Sequence, residues 1–256
     1  MQLHLSTFAE IETYLSRSTG IVIPTGSTEQ HGPTGLIGTD TICPEFIAGA
    51  FGENDDVLIG PVIPFGAAQF NLGFPGTISA RPTTLIALTI DYVQSLTRAG
   101  FTRFYFLNGH GGNVAPLKSA FQELYATRSL DPDAATPDIR CRLRNWWDLP
   151  TVDAMRREMF GDAEGMHATP SEISVTQFAR PGLATGDSGP FEPETPAFFR
   201  DHAQDDHPDG HTHRARFPTG KVGSDPSLAS AALGEKLVTA ATADLAADYR
   251  AFLAET

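Results

Sequence analysis

Thr25-Gly26-Ser27-Thr28-Glu29-Gln30-His31-Gly32-Pro33-Thr34-Gly35-Leu36-Ile37-Gly38-Thr39-Asp40 sets Glu29, His31 and Asp40 in a glycine-rich loop directly after the apolar run Ile21-Val22-Ile23. Carboxylates and neutral imidazoles offer the oxygen and nitrogen lone pairs that a hard to borderline divalent ion binds. A second apolar run, Phe104-Tyr105-Phe106-Leu107, passes at once into Asn108-Gly109-His110-Gly111-Gly112-Asn113. The layout is the same, a strand and then a glycine-rich polar loop, so two loops can share one site.

Outward from these loops the chain alternates between strand and helix. Ile21-Val22-Ile23 has the continuous β-branched character of a strand covered on both faces. Thr41 to Phe51 reads as a helix, and Pro44 fits only near its first turn, which places Asp40 at or just before the helix start. There an N-cap role competes with a ligand role. Val57 to Pro64 is a second strand candidate, broken or set at an edge by its prolines. The Gly- and Phe-rich stretch from Phe65 to Ser79 suits a binding loop through Asn71, Phe74, Pro75, Gly76 and Thr77, or else a surface excursion packed by Phe70 and Phe74. Helical spacing marks Thr7–Ser16, with Phe8, Ile11, Tyr14 and Leu15 on one side, and Pro82–Arg98 through Leu85, Leu88, Tyr92 and Leu96. It marks Val114–Leu130 as well, and a terminal Leu228–Leu253 with Leu233, Leu237, Ala241, Leu245, Tyr249 and Leu253 every four residues. Asp131–Pro137 is a turn-rich link, and Ile139–Arg144 alternates like a half-exposed strand. This order predicts an α/β fold, a mainly parallel sheet with helices on both faces. In such sheets ligands bind outside the carboxyl ends of the strands, where both polar loops fall.

Composition narrows the classes. With 256 residues, 41% of them hydrophobic, the chain fits one domain over 1–256, with a long loop excursion at about 179–218. The 31 acidic and 18 basic residues give a formal charge of −13, which repels a phosphate backbone and argues against nucleic acid. No apolar run approaches a membrane span and the first residues lack a secretory pattern, so the expectation is a cytoplasmic protein without membrane contact. Cys43 and Cys141 form neither a Cys-x-x-Cys pair nor a disulfide framework.

Three further stretches bear on chemistry. Trp146-Trp147 follows the strand that begins at Ile139; adjacent side chains point apart, so at most one is expected to face the site. In Gly165-Met166-His167-Ala168-Thr169-Pro170-Ser171-Glu172, Thr169 and Glu172 form a capping-box pattern, while His167 sits just before the helix, where a loop presents side chains. The excursion holds His202, Asp205, Asp206, His207, Asp209 and His211-Thr212-His213, expected as a solvated acidic loop rather than a metal site. Its Gly186-Asp187-Ser188-Gly189-Pro190 looks like a serine-protease nucleophile segment, but the strand–helix alternation contradicts that all-β context.

The segments Gly26 to Pro33 with Thr39-Asp40, Asn108 to Asn113, and His167 with Glu172 resemble those of the creatininase (creatinine amidohydrolase) family. The resemblance runs from about Phe8 to Leu253. It implies an α/β/α sandwich, often a homohexamer, with two divalent ions per chain (zinc, manganese or iron) that hydrolyse a non-peptide C–N amide bond through a metal-activated hydroxide. Glu29, His31, Asp40 and His110 match the family's ligands, with Asp40 in the bridging place. Where the family has an acidic ligand two residues after the second-motif histidine, this chain has Gly112, and Glu172 is the natural replacement. The gate position four before His167 is Ala163, which argues against creatinine itself. The resemblance therefore implies Glu29 and His110 on one ion, His31 and Glu172 on the other, and His167 as proton shuttle. Gly111, Gly112, Trp146 and Trp147 would meet a small cyclic or formylated amide. The alternatives are hydrolysis of a sugar-ketone C–C bond or peptide processing, and a non-catalytic metal-dependent binding protein.

Overall fold

The apolar runs become β1 (Gly20–Thr25), β2 (Arg103–Asn108) and β3 (Arg140–Asn145), parallel strands in the order β1-β2-β3. The computed structural model describes residues 1–130, 138–183, 186–195, 197–198 and 209–255. Ile21 lies opposite Phe104 and Ile23 opposite Phe106. Because strand side chains alternate between faces, each strand feeds two cores. Ile21, Ile23, Phe104 and Phe106 pack with α1 (Phe8–Leu15), α3 (Pro82–Ala99) and α4 (Val114–Leu130). Val22, Tyr105 and Leu107 pack on the other face with α2 (Thr39–Asp55), α5 (Pro150–Phe160), α6 (Pro170–Ala179) and the terminal α8 (Ala231–Leu253). The result is an α/β fold with a parallel sheet between two helical layers.

Val57–Ile63 runs beside β1 but pairs with it only in pieces. Val22 N–H donates to Leu58 and Gly60 N–H to Val22, and further on Ile63 N–H donates to Pro24 and Gly26 N–H to Ile63. Pro61 and Pro64 supply no N–H, so the ladder cannot run through. Met1 to Leu3 covers its outer side through Leu3 N–H to Ile59 and Ile59 N–H to Met1. The chain thus leaves β1 through α2 on one face and returns to β2 through α3 on the other. The adjacent carboxyl ends of β1 and β2 are a topological switch point. At the opposite edge, Arg140, Arg142 and Arg144 lie along β3, with Arg142 and Arg144 paired to Asp248 of α8 at 3.0 Å. These charges blunt an edge that would otherwise template further pairing.

Several expectations are corrected. Phe8 is 81% exposed, so α1 buries Tyr14 rather than a full stripe. On α3 the buried face narrows to Leu85, Thr89 and Val93, leaving Leu88 exposed. The terminal helix begins at Ala231 behind a Ser230 cap, and Phe252 rather than Leu253 closes its buried face. α2 starts at Thr39, one turn before Pro44, so Asp40 lies within its first turn and Gly38 is the N-cap. α5 was not read from the sequence, although Val152, Met155, Met159 and Phe160 fall at helical spacing and pack on the core. The excursion contains α7 (Gly210–Arg216), capped by Asp209, with His213 only 1% exposed, where a solvated loop was expected. His202, Asp205, Asp206, His207 and the link Asp131–Pro137 lie outside the described residues. Gly186–Pro190 is a tethered turn, its Ser188 and Pro190 carbonyls accepting from Lys221 Nζ at 2.7 Å.

Candidate metal centre

Two glycines bring the loops together. A Cβ on Gly26 would lie 2.4 Å from the Asp40 carbonyl oxygen, and one on Gly109 would lie 2.0 Å from it. Only hydrogen at both positions lets the first turn of α2 settle between the β1 and β2 loops. Pro44 has no N–H for the Asp40 carbonyl four residues back, which frees that oxygen for the close approach.

Asp40 stands at the middle of what this packing assembles. Its Oδ1 is 2.9 Å from His31 Nε2 and its Oδ2 3.0 Å from His110 Nδ1. His110 Nδ1 is also 3.4 Å from Glu29 Oε2, and His31 Nε2 is 3.9 Å from Glu172 Oε1. His167 Nδ1 faces Glu29 Oε1 at 3.7 Å. Among the described residues three groups hold donor atoms all within 4.8 Å of one another: Glu29–Asp40–His110, His31–Asp40–Glu172 and Glu29–His31–His167.

Hydrogen bonds fix which ring nitrogen looks inward. A carbonyl only accepts, so the nitrogen beside it carries the proton. His31 Nδ1 donates to Glu29 O at 3.0 Å, His110 Nε2 to Ala67 O at 3.1 Å, and His167 Nε2 to Gln30 O at 2.7 Å. In each imidazole the other nitrogen turns a lone pair toward the carboxylates, the arrangement that orients metal-ligating histidines. Lone pair therefore meets lone pair across the cluster. Asp40 Oδ2 is buried without a well-formed hydrogen bond, although His110 Nδ1 is close. A cation between them, or a proton on each ring, resolves that contact. The donor set, three carboxylates and two or three imidazoles, fits divalent ions of the zinc, manganese or iron kind.

The electrostatics agree. Burial pushes the Glu29 and Glu172 carboxyls up to about 7. Burial works against the charged form of His31 and His110 too, but Asp40 and Glu29 outweigh it and hold both rings at about 10. Burial opposes the Asp40 anion, yet the two imidazoles keep its pKa below the usual carboxylate range. Burial and the charge of His31 keep His167 well below its ordinary value, as a neutral ring. So many desolvated acids in one place form a well of negative potential that positive ions would neutralise.

Glu172 holds both of its expected positions at once. Its Oε1 accepts from Thr169 N–H at 2.5 Å, closing the capping box of α6, and the same carboxylate belongs to the His31–Asp40 group. The centre opens into a cavity of about 910 Å³. Gly111, Gly112, His167, Trp146 and Trp147 line it, so both tryptophans border the cavity where at most one was expected, Trp146 being buried in the core. Phe70 stacks on His110 and meets His213 of α7 edge-on, which sets two residues of the supposed surface segments in the cavity wall.

Sequence reading set Asn71 in a candidate binding loop but missed its role, and that of the other supports, behind the ligands. Asn71, fully buried, donates to Glu29 Oε1 at 2.9 Å and accepts from Gln30 Nε2 at 2.8 Å. Ser27 Oγ donates to Glu29 Oε2 at 2.8 Å. Arg156 joins the Trp147 carbonyl to Glu164, and Glu164 accepts from Ser171 at the start of α6. The Asn71 contact spans 42 residues, so no local pattern announces it.

Comparison with known proteins gives a consistent picture. The creatininase family model, described as creatinine amidohydrolase, matches residues 4–249. A mycofactocin precursor peptide peptidase from Mycolicibacterium smegmatis is 38% identical over 106 residues, 39% of this chain and 42% of that protein. A 3-dehydro-scyllo-inosose hydrolase from Thermotoga maritima is 29% identical over 106 residues, 41% of this chain and 34% of that one. These alignments span less than half the length of either relative. A solved manganese form of creatininase superposes with a TM-score of 0.77 at 22% identity, covering 99% of each chain. That likeness is one of fold.

Proposed function

The chain belongs to the creatininase family, and from that premise we propose that it is a metal-dependent hydrolase of a C–N amide bond. The observation that carries this reading is Asp40, one buried carboxylate whose two oxygens face two separate three-ligand groups at the switch point of the sheet. Glu29, Asp40 and His110 would hold one divalent ion and His31, Asp40 and Glu172 the other. Bound there, such ions polarise a carbonyl and lower the pKa of a water from near 16 to about 7.

The protein's own groups do the rest. His167, neutral and anchored at Nε2 by Gln30, has Nδ1 turned toward the centre, where it takes up a proton and passes it to the leaving nitrogen. Backbone N–H groups at Gly111 and Gly112 border the cavity beside His110 and suit a developing oxyanion. Trp147, Phe70 and Met166 supply apolar wall, which excludes water around the bond.

A second reading concerns the substrate's size. A cavity of about 910 Å³ lies near the top of the range that holds ligands of drug size, far more than a single five-membered ring requires. Together with the peptide peptidase at 38% identity, this favours an amide within a larger molecule, a peptide included. The test is an assay of metal-loaded protein against creatinine, a formylated amine and a short peptide, with substrate loss and hydrolysis product separated by chromatography as the readout. Hydrolysis that stops with a chelator and returns with manganese is expected, and faster for the peptide than for creatinine. Metal-loaded protein that cleaves only a C–C bond, as in a 2,4-diketone, overturns the amide reading.

A further inference from the structure

The third ligand group, Glu29–His31–His167, has no part in the arrangement above, and its geometry conflicts with it in an informative way. His31 has a single inward lone pair, at Nε2, because Nδ1 is spent on the Glu29 carbonyl. His31 belongs to two groups, one with Asp40 and Glu172 and one with Glu29 and His167, and with Nδ1 occupied Nε2 would have to serve both. Its lone pair can serve one ion at a time. Glu29 can take part in the second group without leaving the first ion, since Oε2 faces His110 while Oε1 faces His167. His167 is built for the role, with Nε2–H fixed on the Gln30 carbonyl at 2.7 Å and Nδ1 directed inward.

Resting on the reading of this site as a two-ion centre, we propose that its second ion has two alternative seats sharing His31. One is oxygen-rich, completed by Asp40 and Glu172, and the other nitrogen-rich, completed by Glu29 and His167. The two differ in chemistry. One imidazole with two carboxylates suits manganese; two imidazoles with one carboxylate is a common zinc set. Manganese therefore takes the first seat and leaves His167 free to move a proton. Zinc would take the second, held by His31, Glu29 and His167, and His167 would then be a ligand. The identity of the ion then sets whether the proton carrier is available, so zinc in excess restrains the protein that manganese supports.

The test titrates metal-stripped protein with manganese and, separately, with zinc, reading stoichiometry and affinity by calorimetry. His167→Gln is expected to weaken the second zinc by roughly tenfold or more while leaving the second manganese unchanged. Glu172→Gln, which can keep the helix cap, is expected to do the reverse. Equal weakening of both ions by either variant, or a zinc affinity indifferent to His167→Gln, overturns the two-seat proposal. Should a variant not fold, nitrogen-15 histidine spectra of the unsubstituted protein decide the matter, because zinc must shift the His167 Nδ1 resonance and an unmoved resonance overturns the proposal. Unsubstituted protein that binds neither ion overturns the metal-centre reading itself, which separates the two failures.

Discussion

Asp40 concentrates the chemistry of this site into one side chain, since each of its oxygens faces a different imidazole. With manganese as the ion, Asp40→Ala is expected to lose both ions per chain, read by elemental analysis after gel filtration; a variant that keeps both would show that Asp40 does not bridge. Asn71 acts at one remove, holding Glu29 Oε1 from a fully buried position. Asn71→Ala strands a buried carboxylate oxygen and the Gln30 amide. It should cost about 1–3 kcal/mol in urea unfolding and weaken manganese binding by roughly 10–100-fold. Unchanged affinity would reduce Asn71 to packing. Glu29, His31 and His110 were readable because each follows closely on a strand end among glycines, and Asp40 because it falls at a helix start just after Gly38. Asn71 was readable only as part of a candidate binding loop and Gln30 not at all, because what makes them matter is a partner far along the chain.

At the scale of elements, the centre depends on how closely α2 and the β2–α4 loop approach. Gly109 has a negative test of its own in Gly38, where an added Cβ would meet nothing nearer than Ile42 Cδ1 at 3.6 Å. Gly109→Ala, driven against backbone rather than a movable side chain, is expected to destabilise by about 1–3 kcal/mol or more and to lower metal content. Gly38→Ala, which loses only the N-cap preference for glycine over alanine, should cost less than about 1 kcal/mol. Equal stability for the two variants in urea would show that the loops have slack. Element boundaries were legible where a face is broad or a stop signal is present, as for α4 and for α3 ending at Gly100. They failed for α7, only seven residues long, and for α5, where the spacing of Val152, Met155, Met159 and Phe160 went unread. Glu172 shows a different limit: a capping box and a ligand pattern looked like rivals in sequence, yet one carboxylate meets both demands.

Across the whole molecule, the centre stands where the two helical layers meet. Its ligands come from the loop and first turn leading into α2, from the loop before α4 on the opposite face, and from the segment that opens α6. Ions held there would join elements that the sheet otherwise separates, and they would neutralise acids in a chain whose formal charge is already −13. Metal removal should therefore be felt by the entire fold. A ligand present at a hundred times its Kd stabilises by about 2.7 kcal/mol, and in a domain of this size each kcal/mol moves Tm by about 2–4 °C. Chelation is expected to lower Tm by roughly 5–10 °C, with manganese restoring it. In Asp40→Ala the same chelator should leave Tm almost where it was, because the manganese is already lost. If the parent melts at one temperature with and without chelator while elemental analysis confirms that its metal has gone, the ions serve chemistry alone and the two layers hold without them.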